Sequence, residues 1–167
     1  MSMVIERIDE QLAGAIVDRH AFRGDATIVV ERDRFLEVVD FIFAEGFQML
    51  VDITAMDALG REPRFDVVYH FLNLASQDRL RLKVRIADQE AVPSLVSRFK
   101  SADWAEREVF DLFGIAFEGH PNLKRLLMWE DFPGHPLRKD FPLDGGDLFC
   151  SQDIGASFAP EARSLNA

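Results

Sequence analysis

The sequence predicts an α+β domain: a mostly antiparallel sheet packed with helices, followed by a long irregular C-terminal arm. Three observations predict it. Successive segments between Phe47 and Ile86 alternate apolar residues with a period of two, as half-buried strands do. Segments on either side carry apolar residues at helical spacing. From Gly114 onward prolines and glycines punctuate the chain while large apolar side chains continue. The expected division is an α+β domain over 1–113 and a Pro/Gly-rich, partner-binding arm and tail over 114–167.

The first element expected is an amphipathic helix in "IERIDEQLAGAIVDRH", where Ile5, Ile8, Leu12, Ala15 and Ile16 recur at helical spacing. "ATIVVE", Ala26 to Glu31, reads as a short strand. Asp33 is placed to cap a helix carrying Phe35, Leu36, Val39, Ile42 and Phe43, with Gly46 as its stop. "FQMLVDITAM" puts Phe47, Met49, Val51 and Ile53 on one face of a strand. "RFDVVYHFLNL" alternates Phe65, Val67, Tyr69 and Phe71; Val68 and Leu72 imply a partly covered second face. "DRLRLKVRI" sets Leu80, Leu82, Val84 and Ile86 against Arg79, Arg81, Lys83 and Arg85. The turn-like "DALGREP" and "NLASQD" between these strands predict an antiparallel meander.

A helix from about Val92 to Lys100 follows, with Pro93 in its first turn. The next helix opens at Asp103, which has capping-box spacing to Glu106. It packs Glu106, Arg107, Glu108 and Asp111 among Val109, Phe110, Leu112 and Phe113, then stops at Gly114. Beyond it, Pro121, Pro133, Pro136 and Pro142 leave little room for regular structure. Yet Phe117, Leu123, Leu126, Leu127, Met128, Trp129, Phe132, Leu137 and Phe141 must be buried somewhere. Such a segment has to lie on a body, its own domain or a neighbour. The final stretch, Ser151 to Ala167, is rich in small residues and reads as flexible when alone and held by a partner.

Composition narrows the functional classes. At 167 residues and 48% hydrophobic, the chain is long and apolar enough for one folded domain. Fifteen Phe against one Tyr supply much apolar aromatic area to be buried inside or against another protein. A formal charge of −10 disfavours nucleic acid and anionic membrane surfaces. The single Cys150 excludes an internal disulfide and a Cys-based cluster, and fits a reducing compartment. "MSMVIERIDEQL" lacks the apolar run of a signal peptide, and no run approaches the about 18 residues of a membrane span.

Several groups invite chemistry. Glu106, Glu108 and Asp111 with His120 have the residue types of a metal or acid–base set. They also fit helix ion pairing, in which Arg107 neutralises Asp111 one turn on. His120-Pro121 and His135-Pro136, each preceded by Gly, read as two similar turns with imidazole donating to backbone, or as a ligand pair. The Arg79–Arg85 stripe reads as cross-strand pairing with acids such as Asp66, or as an anion grip. No Gly-rich phosphate loop, Cys pair or nucleophile motif occurs.

The stretch "ADWAEREVFDLFGIAFEGHPNLKRLLMWEDFPGHPLRKDFPL", Ala102 to Leu143, closely resembles the NuoC-type subunit of NADH:quinone oxidoreductase, respiratory complex I, the thirty-kilodalton subunit of mitochondria. The matching residues are Glu106-Arg107-Glu108, Asp111, Gly114-Ile115, Gly119-His120-Pro121, Leu123-Lys124-Arg125, and the run Pro136 to Pro142 with Arg138, Lys139 and Asp140. "GFQMLVDITAMD", from Gly46, is similar to the family's Asp-x-Thr-Ala-x-Asp segment.

The resemblance implies a non-catalytic scaffold subunit of the peripheral arm, on the cytoplasmic side of a bacterial inner membrane. It implies that this chain holds no cofactor or metal and has no catalytic residue. NADH, FMN, iron–sulfur clusters and quinone would belong to other subunits. The implied partner is the NuoD-type, forty-nine-kilodalton subunit near the quinone site. The charges on the helix would pair with Lys124 and Arg125 or across that interface, and Arg138 with a carboxylate or carbonyl there. The alternatives are the homologous subunit of a membrane-bound hydrogenase or deazaflavin-dependent dehydrogenase, and a stand-alone metal-dependent enzyme.

Overall fold

The structure, a computed structural model, describes residues 2–142. Helix α1 (Ser2–Gln11) leads into hairpin β1 (Ile16–Phe22) and β2 (Asp25–Val30). A short 3-10 turn, Arg32–Arg34, opens α2 (Phe35–Ala44). Strands β3 (Met49–Asp57), β4 (Phe65–Leu72) and β5 (Arg79–Ile86) follow. Then come β6 (Val92–Pro93), α3 (Ala102–Phe113) and β7 (Phe117–Glu118).

The main sheet runs β1-β2-β5-β4-β3. Its β3-β4-β5 half is the expected antiparallel meander. Strand β2 lies parallel to β5 and brings β1 with it, so the sheet is mixed and the fold is α+β. One face is the core: Ile28, Val30, Val67, Tyr69, Phe71, Leu80, Leu82, Val84 and Ile86 meet Ile8, Phe35, Val38, Val39 and Ile42. Phe35 packs on Tyr69 at 4.8 Å between ring centroids, and Phe71 on Phe99 at 5.6 Å. Each such fully buried aromatic contributes about 2–3 kcal/mol of transfer free energy.

Five local expectations fail, each for a physical reason. The N-terminal helix ends at Gln11; Ile16 to Phe22 pair with β2 instead, because hairpin pairing outweighs an apolar period carried by Ala15 and Ile16 alone. Met49 and Val51 do not share a face with Ile53. A bulge between Leu50 and Asp52 inserts Val51, so Leu50 and Ile53 point to the core while Met49 and Val51 are exposed. Asp33 does not cap α2: the 3-10 turn intervenes, and its carboxylate faces Arg32 at 3.4 Å. Residues 92–100 form no helix. Val92 and Ser94 donate to the carbonyls of Ala116 and Glu118, at 3.0 and 2.9 Å, in a parallel pairing with β7 that a helix would forfeit. Glu106 makes no capping box with Asp103, since its carboxylate is engaged by that same segment.

Candidate functional site

Helix α3 carries the residues of interest because its two faces serve different neighbours. Ala102, Val109 and Phe113 enter the core. Glu106 and Asp111 are also fully buried, and each collects donors from an irregular segment packed against the helix. Glu106 accepts the Leu95 N–H at 2.6 Å and the Ser94 hydroxyl at 2.7 Å. Burial still holds its carboxyl above the usual carboxylate range against those donors.

Asp111 is the more heavily used. One carboxylate oxygen accepts the backbone N–H groups of Leu126, Leu127 and Met128, at 2.9, 2.7 and 2.8 Å. The other accepts Arg125 at 2.8 Å. Burial pushes this carboxyl up, but the Met128 N–H, Arg125 and the other two N–H groups together bring it below the usual range. Arg125 continues outward to the carbonyls of Phe132 and Gly134, at 2.9 and 3.0 Å. His135 Nδ1 donates to the Asp111 carbonyl at 2.9 Å, and Leu137 N–H to that of Leu112 at 3.0 Å. Arg107 donates to the carbonyls of Lys124 and Arg125 and lies over the Trp104 ring. It does not neutralise Asp111 as expected; Arg125 does, because the guanidinium of the arm reaches the buried side of the helix and that of Arg107 does not. Gly114 closes α3 in the left-handed region, at φ +76°, and a Cβ there would meet the His135 ring at 2.6 Å.

His120 is fixed on both nitrogens. Its Nδ1 accepts the Asn122 N–H at 3.0 Å, so Nε2 carries the proton and donates to the Asp103 carbonyl at 3.1 Å. Both Gly-His-Pro turns therefore donate imidazole N–H to the backbone of α3. Glu108, Pro121 and Lys124 are exposed or half-buried, and Pro136 is half-buried. Among the described residues no three His, Cys, Asp or Glu side chains gather into a metal-holding group. Glu106 and Asp111 are occupied by different segments.

The last signature residues meet a second cluster. Arg138 binds the Asp88 carboxylate, approaches Asp140 and the Phe113 carbonyl at 3.4 Å, and lies 5.2 Å from the Phe65 ring centroid. Its charged bond is thus made inside the chain. Lys139 donates its N–H to Asp57 at 2.7 Å. Asp140 binds Arg64, which also grips Asp57 through two bonds of 2.7 and 2.8 Å and reaches Asp88. Arg64, Asp57 and Asp88 were missed by sequence reasoning. Asp57 had a signal, as the closing residue of "DITAMD"; Arg64 opened the strand segment "RFDVVYHFLNL", whose alternation drew attention only to its apolar residues.

Residues 28–147 match the family described as respiratory-chain NADH dehydrogenase, 30 Kd subunit. The C subunit of the NADH-quinone oxidoreductase of Citrifermentans bemidjiense is 42% identical over 145 residues, covering 86% of this chain and 90% of that protein. The chain belongs to the thirty-kilodalton subunit family of respiratory-chain NADH dehydrogenase. The corresponding C subunit of Cereibacter sphaeroides is 47% identical over 134 residues, 78% of this chain and 67% of that one. A solved trypsin-resistant fragment (1-134) of Nqo5 superposes with a TM-score of 0.65 at 34% identity, over 72% of this chain and the whole of that one. The fold alone is shared with a chain of an archaeal membrane-bound sulfane sulfur reductase, at TM-score 0.75 and 23% identity, over 99% and 95% of the two chains.

A member of this thirty-kilodalton family is one component of a multi-subunit enzyme, NADH-quinone oxidoreductase. No helix among the described residues is long and apolar enough to cross a membrane. The tail after Pro142, including Cys150 and the expected partner-held stretch Ser151 to Ala167, lies outside the described residues.

Proposed function

We propose that this subunit is a scaffold whose arm, from Gly114 onward, docks on the NuoD-type, forty-nine-kilodalton subunit near the quinone site. It takes no catalytic part and holds no cofactor, while NADH, FMN, iron–sulfur clusters and quinone are bound by its neighbours. It sits in the peripheral arm on the cytoplasmic side of the bacterial inner membrane. One observation carries the reading: polar bonds that would serve no purpose in a free loop hold large apolar groups outward. Trp104 is 62% and Leu127 58% exposed beside the Asp111-bound segment, and Trp129 and Leu137 are exposed with them. Aromatic and Leu side chains held rigidly outward on a pre-organised loop are the anchors expected of a protein interface.

Substituting Leu127→Asp tests this. It should change the stability of the isolated subunit by no more than about 0.5 kcal/mol, as an exposed site does. It should sharply lower the yield of assembled complex on native gels of membranes. Full assembly with normal NADH:quinone activity would remove the arm from the interface. Elemental analysis and absorbance of the purified chain test the cofactor-free role; about one tightly held zinc or iron per chain would overturn it.

A further inference from the structure

Helices α1, α2 and α3 contribute to the core on one side of the sheet. On the opposite face Thr27, Val29, Asp66 and Val68 are buried beneath longer side chains, and the chemistry of that face is ordered by register. One row crosses all five strands: His20 on β1, Thr27 on β2, Arg81 on β5, His70 on β4 and Asp52 on β3. The next row along β5 holds Lys83 between Val29 and Val68, and the last pairs Arg85 with Asp66. Among the described residues the basic charge here is matched unevenly: Arg85 pairs with Asp18 at 3.3 Å, while Arg79 and Arg81 have no carboxylate partner. Asp66 is claimed by Arg61, and Lys83 and Arg85 stand 3.8 Å from it. Arg81 donates only to the Thr27 hydroxyl, at 3.1 Å, and Arg79 has no side-chain hydrogen bond or ion pair among the described residues.

A groove of about 320 Å³ opens at this end, with Arg79, Arg81 and His70 in its middle and Asp25 and Asp52 at its sides. Burial first, then Arg81, pushes His70 below its ordinary value, so it enters as neutral imidazole at pH 7. Val51 of β3 lines the groove; Met49 lies beside it and Met56 further along the strand, opposite Asp66, all three more than two-fifths exposed, and Phe22 is exposed on β1.

We propose that this face is a second docking surface, which takes an acidic, extended segment of a neighbouring protein of the complex. A side-chain carboxylate of that segment sits between Arg79 and Arg81. Its main-chain N–H groups face Asp25 and Asp52, and its apolar residues lie on Met49, Val51 and Met56. Charge complementarity selects this occupant. A carboxylate satisfies two adjacent guanidinium groups in a half-buried setting, where charge-assisted bonds are strong. A bare inorganic anion would leave both flanking carboxylates opposed to it. The proposal rests on the chain's place in a multi-subunit enzyme and does not depend on what the arm binds.

The test is oxidative footprinting of the isolated full chain and of the assembled complex, read by mass spectrometry at Met49, Met56, Leu127 and Trp104. Met49 and Met56 should oxidise at least about threefold more slowly in the complex. In complexes carrying Arg79→Glu with Arg81→Glu the protection should be lost, and Arg79→Lys with Arg81→Lys should restore most of it. Carbodiimide coupling of the complex should join Lys83 to an acidic residue of another subunit. Equal oxidation in both states, or coupling of Lys83 to Asp66 alone, would overturn the proposal. So would protection already present in the isolated chain, which would indicate a second copy on this face. Leu127 and Trp104 report the arm separately, so either reading can fail without the other.

Discussion

The arm is fastened to the body at two places that use charge in opposite ways. At Asp111 one fully buried carboxylate takes three consecutive backbone N–H groups and one guanidinium. At the far end Arg64 and Arg138 share Asp57, Asp88 and Asp140, mostly side chain to side chain, with one backbone donor, the Lys139 N–H on Asp57, and Asp88 and Asp140 are 40% and 49% exposed. Backbone donors cannot swing away, so the first clasp dictates the path of the chain from Arg125 to Met128. Side chains can exchange partners, so the second, with a single backbone donor at Lys139, constrains the conformation of Pro136 to Phe141 less than the first constrains its loop. Interface geometry should therefore depend on Asp111, and the strength of closure on both.

The sharpest way to break this comparison is Asp111→Ala. It leaves Arg125 beside three orphaned N–H groups, and removing one partner of a buried pair costs about 3–5 kcal/mol. Urea unfolding of the isolated subunit should show that loss, and Asp111→Asn, which keeps one acceptor oxygen, should show a smaller one. A loss under about 1 kcal/mol would mean that water replaces the carboxylate and that the clasp does not dictate the loop.

Arg64→Met should come next, at about 2–3 kcal/mol. Asp57 is buried and loses both its bonds from Arg64, keeping only the Lys139 N–H, while Asp88 and Asp140 can turn to solvent. The same denaturation series measures it. A cost equal to that of Asp111→Ala would erase the distinction between the clasps. Gly114→Ala should cost about 1–2 kcal/mol, the penalty for a Cβ in the left-handed region. It should also disturb the His135 ring that a Cβ would strike, seen as a shifted His135 signal in NMR spectra. An unshifted His135 with unchanged stability would show that the turn relaxes freely.

How much of this was legible depended on where the deciding interaction lay. Strands β4 and β5 were readable because their alternation is local and nothing interrupts it; every apolar residue named on β5 is buried. Helix α3 and its Gly114 stop were readable for the same reason. What failed was decided by residues far away in sequence. Glu106 looked like a capping partner three residues from Asp103, but its carboxylate serves Ser94 and Leu95. Val92 to Lys100 looked helical until β7 claimed its N–H groups. The bulge at Val51 has no glycine to announce it. At the candidate site, the charged residues of α3 and the arm were singled out as a group, and the structure brings most of them together. Their pairing was legible only in part: Asp111 takes Arg125, one of the two downstream bases expected, rather than Arg107, while Arg138 turns inward to Asp88.

The smallest effect is the most specific to the second clasp, because it is a matter of pH and salt. Arg64 holds the Asp140 carboxyl down at about 2, against an ordinary value near 3.8, with burial opposing and Arg138 assisting. A carboxyl depressed on folding stabilises the fold above its unfolded value, and that contribution drains away as pH falls through the folded one. Asp140→Asn should therefore lower the urea midpoint modestly at about pH 6. The gap between variant and parent should narrow from about pH 4 downward and vanish near pH 2. Because Asp140 is half-exposed, about 0.5 M salt should shrink the gap at neutral pH, whereas the deficit of Asp111→Asn, sealed from solvent, should persist. If both deficits respond to salt alike, the two clasps are one electrostatic network. If only that of Asp140→Asn does, the arm has a rigid anchor at α3 and a softer, ion-tunable latch beside Arg64.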